Sequence, residues 1–559
     1  MGRLPRALLA PLALLGWAAG LPACDDSATN TQVRLELYAP YEGKSDQVQP
    51  ILDGASNGAD LIELVALRAS DPFGTQITVD LDLARGEGHL PPLPFADDYW
   101  FFVRGFRSDD GDNVPQFYGA AAGITVLEGE AAVVPIQVGR ADCMGLNRSS
   151  AYGRQAQGTD DMGGRRVGAT LTELADGRVL VLGGAQVNAQ GQITEVYDTI
   201  ELYDPHAAQF HPLDVHLNTP RAWHTATLLD DGRVLIVGGQ TAPDTADGTG
   251  PVTASVALFN PIDYSVLPLD TALPETEGRA HHAATRLGDG RGTVLISGGS
   301  GPDGRPLASA FRYFPGVGTS GRLERQGSMW VGRTFHSQNR LIRNPDLALV
   351  AGGLAETGVQ ASVEVFTVRE GQEGCANPDQ RPTADVGCFV RLPMGLWLSE
   401  ARWGHAAIEV EGGRQLLFAG GYASEDRQSF AASIELIDDQ LQHHTAGTLP
   451  TSRGELSATL LPDDSVLLLG GRRGDSPVAI SERLRPRREG DRLTQYDIGE
   501  LSAECELSEP RFGHVAVRLR TGLVLVGGGV TGARGALLPS RRGELYFPRV
   551  RDIDRVYPR

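Results

Sequence analysis

A Gly-Gly doublet that ends an apolar run recurs seven times between residues 164 and 559, and it constrains the fold more than any other feature. The first glycines of successive doublets are 55, 60, 54, 68, 50 and 57 residues apart. The doublets are Gly183-Gly184, Gly238-Gly239, Gly298-Gly299, Gly352-Gly353, Gly420-Gly421, Gly470-Gly471 and Gly527-Gly528. A period near 50 residues indicates one supersecondary unit per repeat, stacked on its neighbours so that they bury a shared core.

Two further residue types recur at nearly constant distances from the doublets. An arginine lies 16 to 19 residues before each doublet, and in five repeats a histidine stands three residues after that arginine. The arginines are Arg165, Arg221, Arg279, Arg333, Arg402, Arg453 and Arg511. The histidines are His224, His282, His336, His405 and His514, with Gly168 and Leu456 at that position in the other two repeats. Such strict phasing indicates that each repeat folds in the same way.

The segments between these markers predict four strands per repeat. A turn such as Ala175–Arg178 separates the arginine from the doublet, and an aromatic segment such as Glu201–Pro205 follows the doublet. The run Val179–Leu182 is apolar at every position, as expected of a strand that is buried on both faces. The 70 glycines and 34 prolines among 559 residues also favour short strands joined by tight turns.

This combination of doublet, arginine and aromatic strand resembles the kelch repeat. The resemblance implies an all-β fold in which residues 164–559 form a seven-bladed β-propeller, closed radially so that its strand edges are protected. The fourth interval, 68 residues long, is explained by a polar insertion that contains Cys375 and Cys388.

The N-terminus predicts export. Arg3 and Arg6 precede an apolar run, Ala7–Ala19, which is too short to span a bilayer comfortably and has the proportions of a signal peptide. The run leads to Leu21-Pro22-Ala23-Cys24, which resembles the lipobox of bacterial lipoproteins. That resemblance implies a signal peptide over 1–23, acylation of Cys24 with palmitate or a similar chain, and a polar tether over 24–32. An ordinary signal peptide cut near Ala23 is the alternative.

The lipoprotein resemblance also implies a location. We expect a chain anchored through its N-terminal lipid at the outer membrane or cell surface, with the periplasmic face of the inner membrane as the alternative. In such an oxidising compartment the remaining cysteines are expected to form disulfides. Cys375 and Cys388 lie in one insertion and are expected to pair, which leaves Cys143 with Cys505. A zinc site is disfavoured because no Cys-x-x-Cys or matching histidine spacing occurs.

The region ahead of the repeats predicts a separate domain. Segments such as Val33–Tyr38 and Ile77–Leu81 alternate apolar and polar residues, without a helical period. Residues 33–140 therefore predict a small β-sandwich, similar to the immunoglobulin- or transthyretin-like modules of exported bacterial proteins. Residues 141–163 are interpreted as a linker to the propeller.

The same pattern separates structural residues from candidate binding residues. A ring of arginines is suited to an anionic sugar or polymer, but an arginine in every repeat favours a structural role because a ligand site breaks the symmetry. The loops after the doublets differ between repeats, and such variation on a rigid frame is typical of a binding face. The candidate binding residues are Arg221, Arg279, Arg333, Arg402, Asp244, Glu425, Arg472 and Arg534.

The chain has a net charge of −20, which opposes binding to nucleic acid. We expect a non-enzymatic scaffold of the cell envelope that recognises a protein or a glycan, with no catalytic residue, cofactor or metal assigned. The alternative is a periplasmic carbohydrate-active enzyme, for which the resemblance points to kelch-type sugar mutarotases ahead of copper radical oxidases. An enzyme would bring several non-repeating acid or base residues into the central funnel, whereas a scaffold would show only the repeated arginines and histidines there.

Overall fold

The computed structural model describes most of the chain. The described residues are 12–14, 33–38, 61–68, 77–82, 93, 96–106, 114–127, 132–147, 158–245, 250–318, 320–341, 343–369, 374–376, 382–383, 385–490, 492–533 and 535–551. In these ranges the only helical elements are two short 3-10 turns, Glu275–Glu277 and Met394–Leu396, so the predicted all-β class is confirmed. None of the described helices is long and apolar enough to cross a membrane.

Seven strands form an N-terminal sheet in the order β1-β2-β7-β6-β5-β3-β4. They are β1 (Leu12–Leu14), β2 (Val33–Tyr38), β3 (Leu61–Arg68), β4 (Ile77–Asp82), β5 (Ala96–Phe106), β6 (Phe117–Val126) and β7 (Ala132–Arg140). β2 and β7 run parallel, and β7 also pairs through its last residues with β6. Alternate side chains such as Leu35, Leu64, Phe101 and Val134 form one core. The division of this region into a two-sheet sandwich stays a prediction.

Within the described residues, seven four-stranded antiparallel sheets then follow, numbered I to VII. Sheet I contains β9 (Thr170–Glu173), β10 (Val179–Leu182), β13 (Thr199–Asp204) and β14 (Gln209–His216); sheet II contains β15 (Thr225–Leu228), β16 (Val234–Val237), β17 (Val256–Phe259) and β18 (Val266–Pro268); sheet III contains β19 (Ala283–Arg286), β20 (Val294–Ser297), β21 (Ala310–Phe314) and β22 (Arg322–Arg325). Sheet IV contains β23 (Ser337–Leu341), β24 (Asn344–Ala351), β27 (Val363–Thr367) and β28 (Cys388–Arg391); sheet V contains β29 (Ala406–Val410), β30 (Gln415–Ala419), β31 (Ser433–Asp438) and β32 (His443–Thr448). Sheet VI contains β33 (Ser457–Leu460), β34 (Val466–Leu469), β37 (Ser481–Glu489) and β38 (Arg492–Glu500); sheet VII contains β39 (Val515–Arg518), β40 (Val524–Gly527), β43 (Glu544–Phe547) and β8 (Cys143–Leu146).

Four two-stranded hairpins project beyond the doublets in the described part of the chain. They are β11–β12 (Ala185–Val187 and Ile193–Val196), β25–β26 (Leu354–Ala355 and Gly358–Val359), β35–β36 (Arg472–Arg473 and Ser476–Pro477) and β41–β42 (Val530–Ala533 and Ala536–Pro539). They lie in the variable loops from which the sequence predicted a binding face.

The first strands of the seven sheets form a closed ring. β9 contacts β15, and the contacts continue through β19, β23, β29, β33 and β39 back to β9. The second strands, such as Val179–Leu182 and Val234–Val237, are fully buried because neighbouring sheets cover both of their faces. A closed ring of small antiparallel sheets is the β-propeller arrangement.

Sheet VII is completed from the other end of the repeat region. Its fourth strand is β8, which pairs antiparallel with β43 and places Cys143 opposite Phe547. Part of the stretch 141–163 that the sequence suggested as a linker is therefore a propeller strand. Without β8 the edge of β43 would present unpaired backbone groups, so the pairing closes the ring and covers that edge.

Both predicted disulfides are present. Cys143 of β8 is bonded to Cys505, in the segment that precedes sheet VII, and Cys375 is bonded to Cys388 at the start of β28. These bonds are typical of an extracytoplasmic protein.

The N-terminal sheet packs where the ring closes. Trp100, Phe102 and Tyr118 share a hydrophobic cluster with Leu519 and Phe547 of the last repeat. The Tyr118 hydroxyl also donates a hydrogen bond to the carbonyl oxygen of Thr521 at 2.5 Å. The two parts of the chain therefore share a buried interface.

Candidate functional site

The glycine doublets join neighbouring sheets. The doublet and the arginine are described in all seven repeats, and in each the backbone N–H of the second glycine donates to the carbonyl oxygen of the following repeat's arginine at 2.8–2.9 Å. Both glycines have positive φ, for example 62° at Gly238 and 109° at Gly239. A Cβ on Gly238 would lie 2.4 Å from the Arg279 carbonyl oxygen, so only glycine fits.

These bonds shift the assignment of the repeated residues by one position in the first and in the last repeat. In the first repeat the buried arginine is Arg166, whereas Arg165 is exposed and bonds to the carbonyl of Pro539. In the last repeat the left-handed doublet is Gly528-Gly529, and Gly527 belongs to β40. Arg165 and Arg166 are adjacent, and Gly527–Gly529 are three consecutive glycines, so the sequence leaves the repeated arginine and the repeated doublet ambiguous by one residue. Only the hydrogen bonds show which residues are equivalent to those of the other repeats.

The repeated arginines hold each sheet together. Every guanidinium donates to the carbonyl oxygen of the first glycine in its own repeat, at 2.6–3.2 Å. Five of them also pair with a buried glutamate in the third strand: Arg166–Glu201, Arg333–Glu364, Arg402–Glu435, Arg453–Glu482 and Arg511–Glu544. The remaining two repeats have no glutamate at this third-strand position, and there the guanidinium bonds to a serine hydroxyl: Arg221 to Ser255 and Arg279 to Ser309. Arg279 also pairs with Glu277, outside the third strand, at 3.2 Å.

Four of these arginines were candidates for the binding face. Arg221, Arg279, Arg333 and Arg402 are at most 1% exposed. Burial lowers the pKa of Arg221 and of Arg279 to about 10, and for Arg279 the nearby Glu277 carboxylate opposes that effect. Because all four guanidinium groups are occupied by their own sheet, they are not free to contact a ligand.

The repeated histidines also link neighbouring sheets. Their Nε2 atoms lie within hydrogen-bonding distance of a hydroxyl in the preceding repeat: His224 with Thr170, His282 with Thr225, His336 with Ser297, His405 with Ser337 and His514 with Ser457. Burial lowers the pKa of His224, His336, His405 and His514 to about 3 and that of His282 well below its usual value. These imidazoles are therefore neutral at physiological pH.

The residues two positions after each buried arginine form a ring around the axis of the propeller. Its members are Gly168, Trp223, His281, Phe335, Gly404, Glu455 and Gly513, all with φ between 51° and 67°. From Trp223 to Gly513, each backbone N–H donates to the carbonyl of the preceding member at 2.7–3.2 Å. The backbone is thus the same in every repeat, while the side chains differ.

The side chains of this ring open into a cleft of about 610 Å³ on the face that carries the doublets. Trp223, His281 and Phe335 form an aromatic arc. The ring centroids of Trp223 and His281 are 5.1 Å apart, and those of His281 and Phe335 are 4.0 Å apart. The Trp403 ring extends the arc, with its centroid 5.3 Å from that of Phe335. Burial lowers the pKa of His281 to about 3, with a further contribution from the charge of Arg427. His281 is therefore a neutral aromatic ring at physiological pH.

Charged side chains form the other side of the cleft. The Tyr422 hydroxyl donates to Glu455 Oε1 at 3.1 Å, and burial raises the pKa of Tyr422. The Arg427 guanidinium lies 5.1 Å from the centroid of the Trp403 ring, a cation–π contact. Arg472 stacks 4.8 Å from the Phe512 centroid and pairs with Asp475 at 3.1 Å. Aromatic and charged groups thus meet in one concavity.

The other sequence candidates fall in different places. Asp244 lines the cleft, but its carboxylate accepts the N–H of Ile193 at 3.0 Å and the amide of Gln240 at 2.9 Å, so it holds two loops together. Glu425 is exposed. Arg534 and the lipid-attachment candidate Cys24 lie outside the described residues.

The sequence pattern did not predict a role for Trp223, His281, Phe335, Arg427 or Glu455. Four of them had a detectable signal: the position two residues after each arginine is glycine in two repeats, Gly404 and Gly513, and a larger residue in the others. Gly168 joins these glycines only when the first repeat is phased on Arg166. Arg427 had none, because it lies in a loop of variable length. Across the described residues, no group of three or more His, Cys, Asp or Glu side chains is arranged to hold a metal ion.

Comparisons with known proteins give a distant structural similarity. No family model matches the chain, and no curated protein matches it. Among solved structures, the one titled "Structure of YjhT" aligns with 15% sequence identity and a TM-score of 0.42, covering 61% of this chain and 99% of that chain. The β-propeller assignment rests on the sheet topology described above.

Proposed function

We propose that sheets I–VII are the blades of a seven-bladed kelch-type propeller and that the central cleft binds a glycan without transforming it. We further propose that acylation of Cys24 holds this receptor at the cell envelope. The aromatic arc Trp223–His281–Phe335, built on strained backbone, carries the proposal.

The strain is the reason to assign a function to the arc. A left-handed conformation costs a residue with a side chain roughly 1–2 kcal/mol, a cost that glycine avoids. Gly168, Gly404 and Gly513 occupy the same ring position in three repeats. Large side chains at the strained positions therefore oppose stability, and strained residues of this kind cluster at ligand sites.

The chemistry of the cleft suits a sugar. The C–H face of a pyranose ring is apolar and stacks on aromatic side chains, while its hydroxyl edge needs hydrogen-bonding groups. The arc supplies the first surface, and Arg427 and Glu455 supply the second. A volume of about 610 Å³ lies within the usual range for small-molecule sites and favours a sugar unit over a folded protein domain.

The proposal is tested by probing a glycan array with the wild-type protein and with Trp223→Gly and Phe335→Gly. Both variants are expected to lose binding while melting at the same or a higher temperature, because glycine is native to this ring. Trp330→Gly is the matched control, since Trp330 is exposed and is not part of the cleft lining. Unchanged binding by Trp223→Gly and Phe335→Gly would refute the assignment.

A second candidate function, a carbohydrate-active enzyme, is favoured by one observation. Glu455 is a non-repeating acid in the central cleft, and it accepts the Tyr422 hydroxyl. A carboxylate beside a phenol can take up and return a proton. Turnover of the bound glycan that Glu455→Gln abolishes, with binding retained, would establish the enzyme and exclude the simple receptor.

A further inference from the structure

β1 is an edge strand of the N-terminal sheet, and it lies within the segment that the sequence predicts as a signal peptide. It runs antiparallel to β2, with Leu12 opposite Leu37 and Leu14 opposite Leu35. Among the described strands only β1 borders β2 on that side, since β7 pairs with the other side. Removal of residues 1–23 therefore leaves the outer edge of β2 without this strand.

β2 itself does not depend on β1 for its place in the sheet. All six of its residues, Val33–Tyr38, pair with β7, and Val33, Leu35 and Leu37 are at most 5% exposed in the core of the sheet. Once β1 is removed, the backbone groups on the outer side of β2 lack partners, and such an edge pairs readily with another extended chain. The ladder with β1 shows that this edge accepts an antiparallel strand.

The sequence of β2 is complementary to itself. Arg34 and Glu36 alternate with the apolar residues. In an antiparallel pair of two β2 strands centred on Leu35, Arg34 of each copy stands opposite Glu36 of the other, which is favourable. Apolar residues then also stand opposite apolar residues on one face of the sheet. Moving the centre by one residue would set Arg34 against Arg34 or Glu36 against Glu36, and like charges directly opposite destabilise a pair.

We propose that the processed chain forms a dimer through β2, which pairs antiparallel with β2 of a second copy across a two-fold axis. The inference rests on the proposed acylation of Cys24, because cleavage before that residue removes β1. Anchoring both copies to one membrane raises their local concentration, which favours an interface as small as two six-residue strands. Before cleavage β1 occupies the same edge, so pairing of copies is confined to the exported chain.

The test is sedimentation equilibrium of the wild-type chain extracted from membranes in mild detergent, after mass spectrometry has identified its first residue. A reversible dimer of a chain that begins at acylated Cys24 is expected. Arg34→Glu should weaken the dimer roughly tenfold or more, because two pairs of like charges then face each other. Arg34→Glu/Glu36→Arg should restore it. Thr78→Glu is the matched control, since Thr78 is exposed on β4 at the opposite edge of the sheet.

Crosslinking in intact membranes tests the register without detergent. Leu35→Cys should form a disulfide between copies under mild oxidation, because Leu35 stands opposite its own copy at the two-fold axis, whereas Thr78→Cys should not. A processed chain that stays monomeric and gives no such crosslink would overturn this inference alone, since glycan binding in the central cleft does not depend on it. A mature chain that keeps residues 1–23 would overturn it together with the proposed anchor. Failure of the double charge swap to restore the dimer would contradict the register.

Discussion

The backbone N–H of Gly529 donates to the carbonyl oxygen of Arg166 at 2.9 Å, although the two residues lie at opposite ends of the repeat region. The same bond joins every other pair of neighbouring repeats, so this contact makes the last interface equivalent to the other six. Closure is completed on the outer edge by β8 and by the Cys143–Cys505 disulfide. The ring is therefore fastened both near its axis and at its periphery.

The doublets are expected to tolerate no side chain. Gly238→Val should lower the free energy of unfolding by more than about 3 kcal/mol, because its Cβ would meet the Arg279 carbonyl and its φ would be left-handed. Gly395→Val is the control, since no heavy atom lies within 4 Å of a Cβ built there and its φ is not positive. Denaturant titration compares the two, and equal losses would refute the role given to the doublets.

Removing the ring-closing disulfide should cost more than removing the local one. Cys143 and Cys505 are separated by 362 residues, whereas Cys375 and Cys388 are separated by 13. Chain-entropy arguments give the longer loop an advantage of about 3 kcal/mol. Melting temperatures of the two double Cys→Ser variants measure this difference. A larger loss for the Cys375/Cys388 pair would contradict the closure argument.

The repeated histidines predict acid sensitivity. Burial lowers the folded-state pKa of four of them to about 3, against 6.5 in the unfolded chain, and lowers that of His282 well below 6.5. Between pH 3 and 6.5 those four therefore bind the proton only in the unfolded state. Stability should rise with pH from about 3 to 6.5, and each such histidine should add a slope of about 1.4 kcal/mol per pH unit. Urea unfolding at several pH values measures the slope.

His405→Leu provides the matched variant for that experiment. Leu456 occupies the equivalent position in the next repeat, so leucine is compatible with the fold. The variant should show a slope about 1.4 kcal/mol per pH unit smaller near pH 5. An unchanged slope would show that His405 does not titrate as its burial requires.

Arg221 should form an ion pair with a glutamate introduced on the third strand of its sheet, where that repeat has none. Ala257 pairs with Ile236 in the register in which Glu201 pairs with Val181, so Ala257→Glu places a carboxylate near the Arg221 guanidinium. We expect unfolding free energy to be unchanged or raised by about 1 kcal/mol, whereas Ala348→Glu, buried on β24 without such a partner, should lose several kcal/mol. Equal destabilisation would contradict the pairing rule.

Membrane attachment depends on Cys24 in the lipoprotein hypothesis. Cys24→Ser should abolish metabolic labelling with palmitate and release the chain from the membrane fraction, because a single unmodified tether does not anchor a protein. A wild-type chain that carries no acyl label yet stays with membranes would refute the hypothesis.

The local sequence determined the all-β class, most of the strands and six of the seven doublets, and the short spacing of Cys375 and Cys388 predicted their disulfide. The apolar run Val179–Leu182 and the turn before it specify their hairpin through neighbouring residues alone. Even the structural role of the arginines followed from their recurrence.

The tertiary structure decided everything that depends on ring closure. The choice of Arg166 over Arg165, the use of β8 in sheet VII and the gathering of Trp223, His281 and Phe335 around one axis all require contacts between repeats. Local pattern does not encode such contacts, because they arise only when seven units stack and the last one meets the first. For the same reason the loop residue Arg427 became recognisable as part of the cleft only when it was seen beside Trp403.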